Sequence, residues 1–146
     1  MADAHNLERF VAAQDSGQTY AHAVEELRRG RKTTHWMWFV FPQIAGLGFS
    51  EMSRMYAIAS LAEAQAYLRH QLLGPRLLDC ARLVANTNAS SAEQMFGGID
   101  AVKLRSSMTL FLRADPDEPL FQSVLDRYYD GEPDPATDAR LSPERR

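Results

Sequence analysis

Apolar residues recur at helical spacing along most of the chain, separated by glycines, prolines and short polar runs. Leu7, Phe10 and Val11 mark one face of a first helix with Asn6 as its N-cap, and Gly17 ends it. Tyr20, Val24 and Leu27 predict a second helix over 19–29. In it Glu25 and Glu26 precede Arg28 and Arg29, and Gly30 takes the C′ position. Residues 50–59 read as helix, with Met52, Met55 and Tyr56 toward the interior. Ser60 with Glu63 matches a capping box ahead of Ala64, Tyr67 and Leu68. Pro75 opens a further helix carrying Leu77, Leu78, Ala81, Val84 and Ala85. After the polar loop 86–90, Ser91 and Gln94 repeat the capping pattern over a turn ending at Phe96-Gly97-Gly98. Asp100 then caps a helix with Leu104, Met108, Leu110 and Phe111, and a last helix covers 120–129 with Phe121, Val124, Leu125 and Tyr128.

One block breaks the pattern. From Trp36 to Phe41 every residue is apolar, so a buried strand and a buried helical turn fit equally well. Pro42 biases Phe41 toward extended backbone, and Gly46 and Gly48 make 45–49 a turn. Both tryptophans and six of the fourteen aromatic residues fall between Trp36 and Tyr56. Such a run must be buried or face a ligand.

The sum is an all-α, compact, multihelical single domain of about seven or eight short helices. It spans 1–146, with its core over about 7–130 and a poorly packed tail over 131–146, where three prolines interrupt mixed charges. The apolar fraction of 45% suffices for a core and is too high for a disordered chain. Net charge is −3, with the acidity beyond residue 112, which argues against a nucleic-acid partner and against an anionic membrane. Cys80 is the one cysteine, set among leucines and alanines, and reads as a small buried residue rather than a nucleophile. No secretory signal pattern and no apolar run of about 20 residues is present, so a cytoplasmic location is expected.

Several chemistries lack their signature. No two histidines lie three to five residues apart, which gives no metal-ligand spacing. Dinucleotide-binding, P-loop and nucleophile-elbow motifs are absent, so no cofactor is implied. Three segments remain. Arg28-Arg29-Gly30-Arg31-Lys32, then Thr33-Thr34-His35, place positive charge beside the aromatic block. They could hold a phosphate under a stacked ring, or simply offset a helix dipole in solvent. Gln43 through Glu51 could form a pocket rim, with Glu51 a general acid or base against the aromatic wall. The bland alternative makes Ser50 an N-cap and Glu51 a dipole partner. Lys103 and Ser107 share a helix face and could bind phosphate or a sugar hydroxyl, whereas small serines also allow close helix packing.

The chain resembles a bacterial family catalogued as domain of unknown function 1810, sometimes labelled calpastatin-like. The resemblance rests on Phe10-Val11-Ala12-Ala13-Gln14, Lys32, His35-Trp36-Met37-Trp38-Phe39-Val40-Phe41-Pro42-Gln43, Gly46-Leu47-Gly48 and Ser50-Glu51-Met52-Ser53-Arg54. It continues through Leu73-Gly74-Pro75-Arg76-Leu77 and Lys103 to Phe111, and covers about residues 7–141. It implies a mainly α-helical domain and no established activity. The calpastatin label does not suit a chain of this composition, because that inhibitor is a long disordered repeat protein.

Two functional classes follow. In the first, Lys32, Trp36, Trp38, Gln43, Ser50, Lys103 and Ser107 bind a small phosphorylated ligand, nucleotide or ADP-ribose-like. Glu51 or His35 then serves as the acid/base group of a hydrolysis. In the second, the aromatic block is core and the domain is a non-enzymatic module for a protein partner whose identity the residues do not specify.

Overall fold

The computed structural model describes residues 3–141. The helices run α1 (Glu8–Asp15), α2 (Thr19–Arg28), α3 (Met37–Val40), α4 (Glu51–Met55) and α5 (Leu61–Arg69). They continue with α6 (Leu73–Asn86), α7 (Ala92–Phe96), α8 (Gly98–Ala114), α9 (Pro119–Tyr128) and α10 (Pro135–Leu141). The architecture is all-α. An isolated bridge between Ile44 and Ile58 is the strand-like pairing among the described residues.

The centre is α8. It packs against α5, α7, α9 and α10, and is buried continuously from Ser106 to Leu112. A helix enclosed on so many sides cannot keep a single apolar stripe. Ser106, Ser107 and Thr109 are therefore buried too, and small side chains let neighbouring helices approach. α6 forms a second layer against α2, α5 and α9. Its entry is tight: a Cβ on Gly74 would stand 2.1 Å from the Leu68 carbonyl oxygen. Cys80 lies fully inside this layer, and burial pushes its thiol up to about 12, which makes it a core residue and not a nucleophile.

Several expected signals work through different atoms. Asn6 is not an N-cap: it takes a left-handed conformation, and Asp3 accepts the Leu7 and Glu8 N–H groups instead. Asp100 lies inside the first turn of α8 and serves as an ion-pair partner, not a cap. The helix expected over 50–59 stops at Met55, because Ile58 leaves it to bridge Ile44. Tyr56 packs against Phe10 and Phe39 as a core residue does, but Met55 is half-exposed. The aromatic block resolves as a single helical turn, α3.

The poorly packed tail is corrected for residues 131–141. Arg105 donates to the Glu132 and Pro133 carbonyls. The Asp134 Oδ2 accepts Ser106 Oγ, Thr137 N–H and Thr137 Oγ1. Thr109 Oγ1 accepts the Asp134 N–H. Thr137 and Leu141 are buried. Residues 142–146 lie outside the described residues.

Asp134→Ala removes three hydrogen bonds to a charged acceptor and leaves Ser106 with its bond to the Val102 carbonyl alone. It should lower stability by about 2 kcal/mol in urea unfolding. Stability equal to the parent would mean that α10 is not docked on α8.

Candidate functional site

The local order of the site begins at the end of α2. Gly30, at φ +75°, closes the helix. Its N–H reaches the Leu27 carbonyl and the Arg31 N–H reaches the Glu26 carbonyl, the paired bonds of a Schellman turn. The turn sends the chain back past Glu26, which lies on the same buried stripe as Ala23 and Leu27. There the Glu26 carboxylate accepts four hydrogen bonds. The donors are the Thr33 N–H (2.7 Å), the Thr34 N–H (3.0 Å), the Thr34 hydroxyl and the Trp36 indole Nε1 (2.9 Å). Burial by itself would raise the Glu26 pKa. The donors, led by the Thr34 hydroxyl and the two amides, outweigh it and hold the carboxyl at about 2.

Beyond this clamp, a chain of charge and aromatic contacts leads to α8. The Lys32 ammonium sits 5.0 Å from the Trp36 ring centroid and 2.9 Å from Asp100 Oδ2. Asp100 Oδ1 is 3.8 Å from the Lys103 ammonium, which stands 5.2 Å from the Trp38 centroid. Two cations thus share one carboxylate, and each also rests on an indole face.

Lys103 opens onto a groove of about 410 Å³. One wall is the loop carrying Gln43, Leu47 and Gly48. The opposite wall is α8, with Ile99, Val102, Lys103 and Ser106, and the start of α10 closes one end with Asp134 and Ala136. The loop is fixed at both ends. Ile58 N–H donates to the Gln43 carbonyl, and Arg140 on α10 donates to the Gly46 carbonyl. The lining is mainly apolar. The Gln43 side-chain amide has no hydrogen-bond partner among the described residues. Two fully enclosed groups close by, Trp38 Nε1 and Ser107 Oγ, also lack one. Buried donors of this kind are uncommon and costly.

The nine residues expected to line one pocket do not assemble into one. Gln43 and Lys103 line the groove, and Trp38 backs Lys103. Ser107 is enclosed one turn beyond Lys103, and Ser106 takes its place in the lining. Trp36 is core: it has no exposed surface and its indole N–H is bound by Glu26. Lys32 is nearly enclosed and acts as a clamp between Trp36 and Asp100. Ser50 caps α4 through the Ser53 N–H. Glu51 is exposed in the first turn of α4 and His35 is exposed before α3, and neither lines the groove. The aromatic wall that Glu51 was to meet faces inward.

Glu26, Asp100, Ser106 and Asp134 were not anticipated. For Glu26 the signal was present: its i+3 spacing from Ala23 sets it on the buried stripe, and two threonines follow within eight residues. Among the described residues no group of three or more His, Cys, Asp or Glu is placed to hold a metal ion. No described helix is long and apolar enough to cross a membrane.

The family model described as "Protein of unknown function (DUF1810)" matches residues 4–141. The fold is similar to the crystal structure of the conserved hypothetical protein Rv1873 from Mycobacterium tuberculosis. That similarity has a TM-score of 0.92 and 52% sequence identity, over 96% of this chain and 99% of that one. No curated protein matches the chain.

The Glu26 clamp makes a pH prediction. Its folded pKa lies below the ordinary carboxylate value of 4.5, so its stabilisation is complete above that value and is lost as pH falls toward 2. The shift corresponds to about 3 kcal/mol. Glu26→Gln should be less stable than the parent at neutral pH, and the gap should close between about pH 4.5 and 2. Urea unfolding at a series of pH values reads this, and a gap independent of pH would contradict the clamp.

Proposed function

The chain belongs to the DUF1810 family, and from its geometry we propose that the groove between the 43–48 loop and α8 binds a small phosphorylated molecule. One observation carries the reading. A concave, mainly apolar groove receives two polar groups with free bonding capacity, the Gln43 amide and the Lys103 ammonium. Small-molecule sites have this composition: an apolar body with a few placed polar anchors. Lys103 is preorganised on Trp38, and the share of Asp100 taken by Lys32 leaves Lys103 charge available to a phosphate. Leu47, Ile99, Val102 and Ala136 would meet the apolar part of a nucleoside-sized ligand.

The reading is one of binding. The carboxylate in the groove, Asp134, is committed through its Oδ2 to three internal donors, and Glu51 and His35 lie elsewhere, so an acid/base hydrolysis gains no support. A protein-binding module is favoured by a different observation. Ile99 and Val102 are 76% and 64% exposed along the same groove, an unusual display for α8.

A thermal-shift panel of nucleotides, ADP-ribose and phosphosugars tests the proposal, run on the parent, Lys103→Ala and Gln43→Ala. A ligand at 100 times its dissociation constant should stabilise the parent by about 2.7 kcal/mol. The shift should shrink in both variants. A panel without a hit, or a shift equal in parent and variants, counts against a small-molecule groove and for the protein-binding reading.

A further inference from the structure

The basic run is split by the fold. Lys32 turns inward to Asp100, whereas Arg28, Arg29 and Arg31 line an open cavity of about 620 Å³ between the end of α2 and the loop after α6. We infer that this cavity is a second binding site, separate from the groove, for a compound bearing two or more phosphate groups.

The ordinary role of arginines at a helix end is to neutralise its terminal carbonyls. Here other groups already do so. Three of the last four carbonyls of α2 take backbone N–H groups, with Glu25, Glu26 and Leu27 accepting from Arg29, Arg31 and Gly30. At the end of α6, Tyr128 donates to the Val84 carbonyl, and Arg127 donates to those of Ala85 and Ala89. No hydrogen bond or ion pair occupies the guanidinium of Arg28, Arg29 or Arg31 among the described residues. Three unpaired arginines therefore line the cavity, with no carboxylate among its lining residues.

The remaining lining is rich in donors. Asn86, Thr87 and Asn88 line the cavity with side chains that make no hydrogen bond among the described residues. Gln94 uses its carbonyl oxygen on Ser90, which leaves its NH2 group to donate. The backbone beneath is preorganised. Gly30 holds φ +75°, and a Cβ there would stand 2.9 Å from Thr87 Oγ1, so glycine suits the close approach of the two segments. Lys32 N–H to the Met95 carbonyl at 2.7 Å, and the Glu26 clamp, fix the strand of chain that leaves the arginines. No aromatic residue lines the cavity, so recognition would run through phosphates and hydroxyls rather than a stacked base.

Calorimetric titration of the full chain with inorganic triphosphate, a hexose bisphosphate and orthophosphate tests the site. Triphosphate or the bisphosphate should bind, more weakly at high salt, with orthophosphate at least about tenfold weaker. Arg29→Ala and Arg31→Ala should each cost roughly tenfold or more, as loss of a charge-assisted bond does. These side chains are exposed, so the melting temperature of either variant should match the parent. Lys103→Ala should keep the binding event that the arginine variants lose. The site is overturned if neither multiphosphate binds, or if both arginine variants bind like the parent. It is also overturned if Lys103→Ala alone abolishes binding, which moves the anion to the groove. Tighter binding of single-stranded RNA, rising with length, would reassign the arginines to a nucleic-acid backbone.

Discussion

A single buried carboxylate sets the shape of the region in which every candidate site lies. Glu26 is 3% exposed and gathers four donors from the segment that follows its own helix. A buried charge is tolerated when its lone pairs are satisfied, and here each donor is also a positional constraint. The Thr33 and Thr34 amides fix the backbone, and the indole N–H fixes Trp36 in the core. Trp36 in turn supports Phe41 and Phe96, so the clamp reaches from α2 to α3 and α7.

The same constraint sorts charge. Because the chain reverses at Gly30, the arginines before Lys32 stay on the outer side, and Lys32 is carried inward to Asp100. Asp100 then couples Lys32 to Lys103 at the start of α8. The groove and the arginine cavity thus differ in kind. One is apolar with a single cation backed by Trp38, and the other is polar with three cations and no ring. Their chemistries differ enough to expect different ligands. A second buried network, in which Gln14 donates to the Phe39 carbonyl and accepts from Arg76, holds the far side of α3 in the same way.

Helical spacing made most of the core legible, because Leu77, Val84, Leu104, Phe121 and Leu125 repeat at the period of a buried face. Gln43, Trp38 and Lys103 were legible as unusual polar or amphipathic residues in apolar company. Polar burial was harder to read. Glu26 beside Glu25, ahead of two arginines, looks like half of a surface ion pair, and only its spacing from Ala23 and the later threonines betray it. The docked tail was hidden for a related reason. Its anchors are Asp134 and Thr137, residues that a hydropathy pattern counts as solvent-facing. Glu51 follows the aromatic block in sequence but does not face it in space. The single turn of α3 points Trp36, Met37 and Phe39 inward and leaves Glu51 on an outer turn.

The exchange rates of the two indole N–H groups test the clamp most directly. The chain has two tryptophans, so Trp36→Phe and Trp38→Phe assign both resonances in a nitrogen-edited NMR spectrum. The Trp36 indole proton should exchange slowly with solvent in the parent and faster in Glu26→Leu, with Trp38 exchange little changed. Fast exchange at Trp36 in the parent, or equally slow exchange in Glu26→Leu, would contradict the central role of the Glu26 carboxylate.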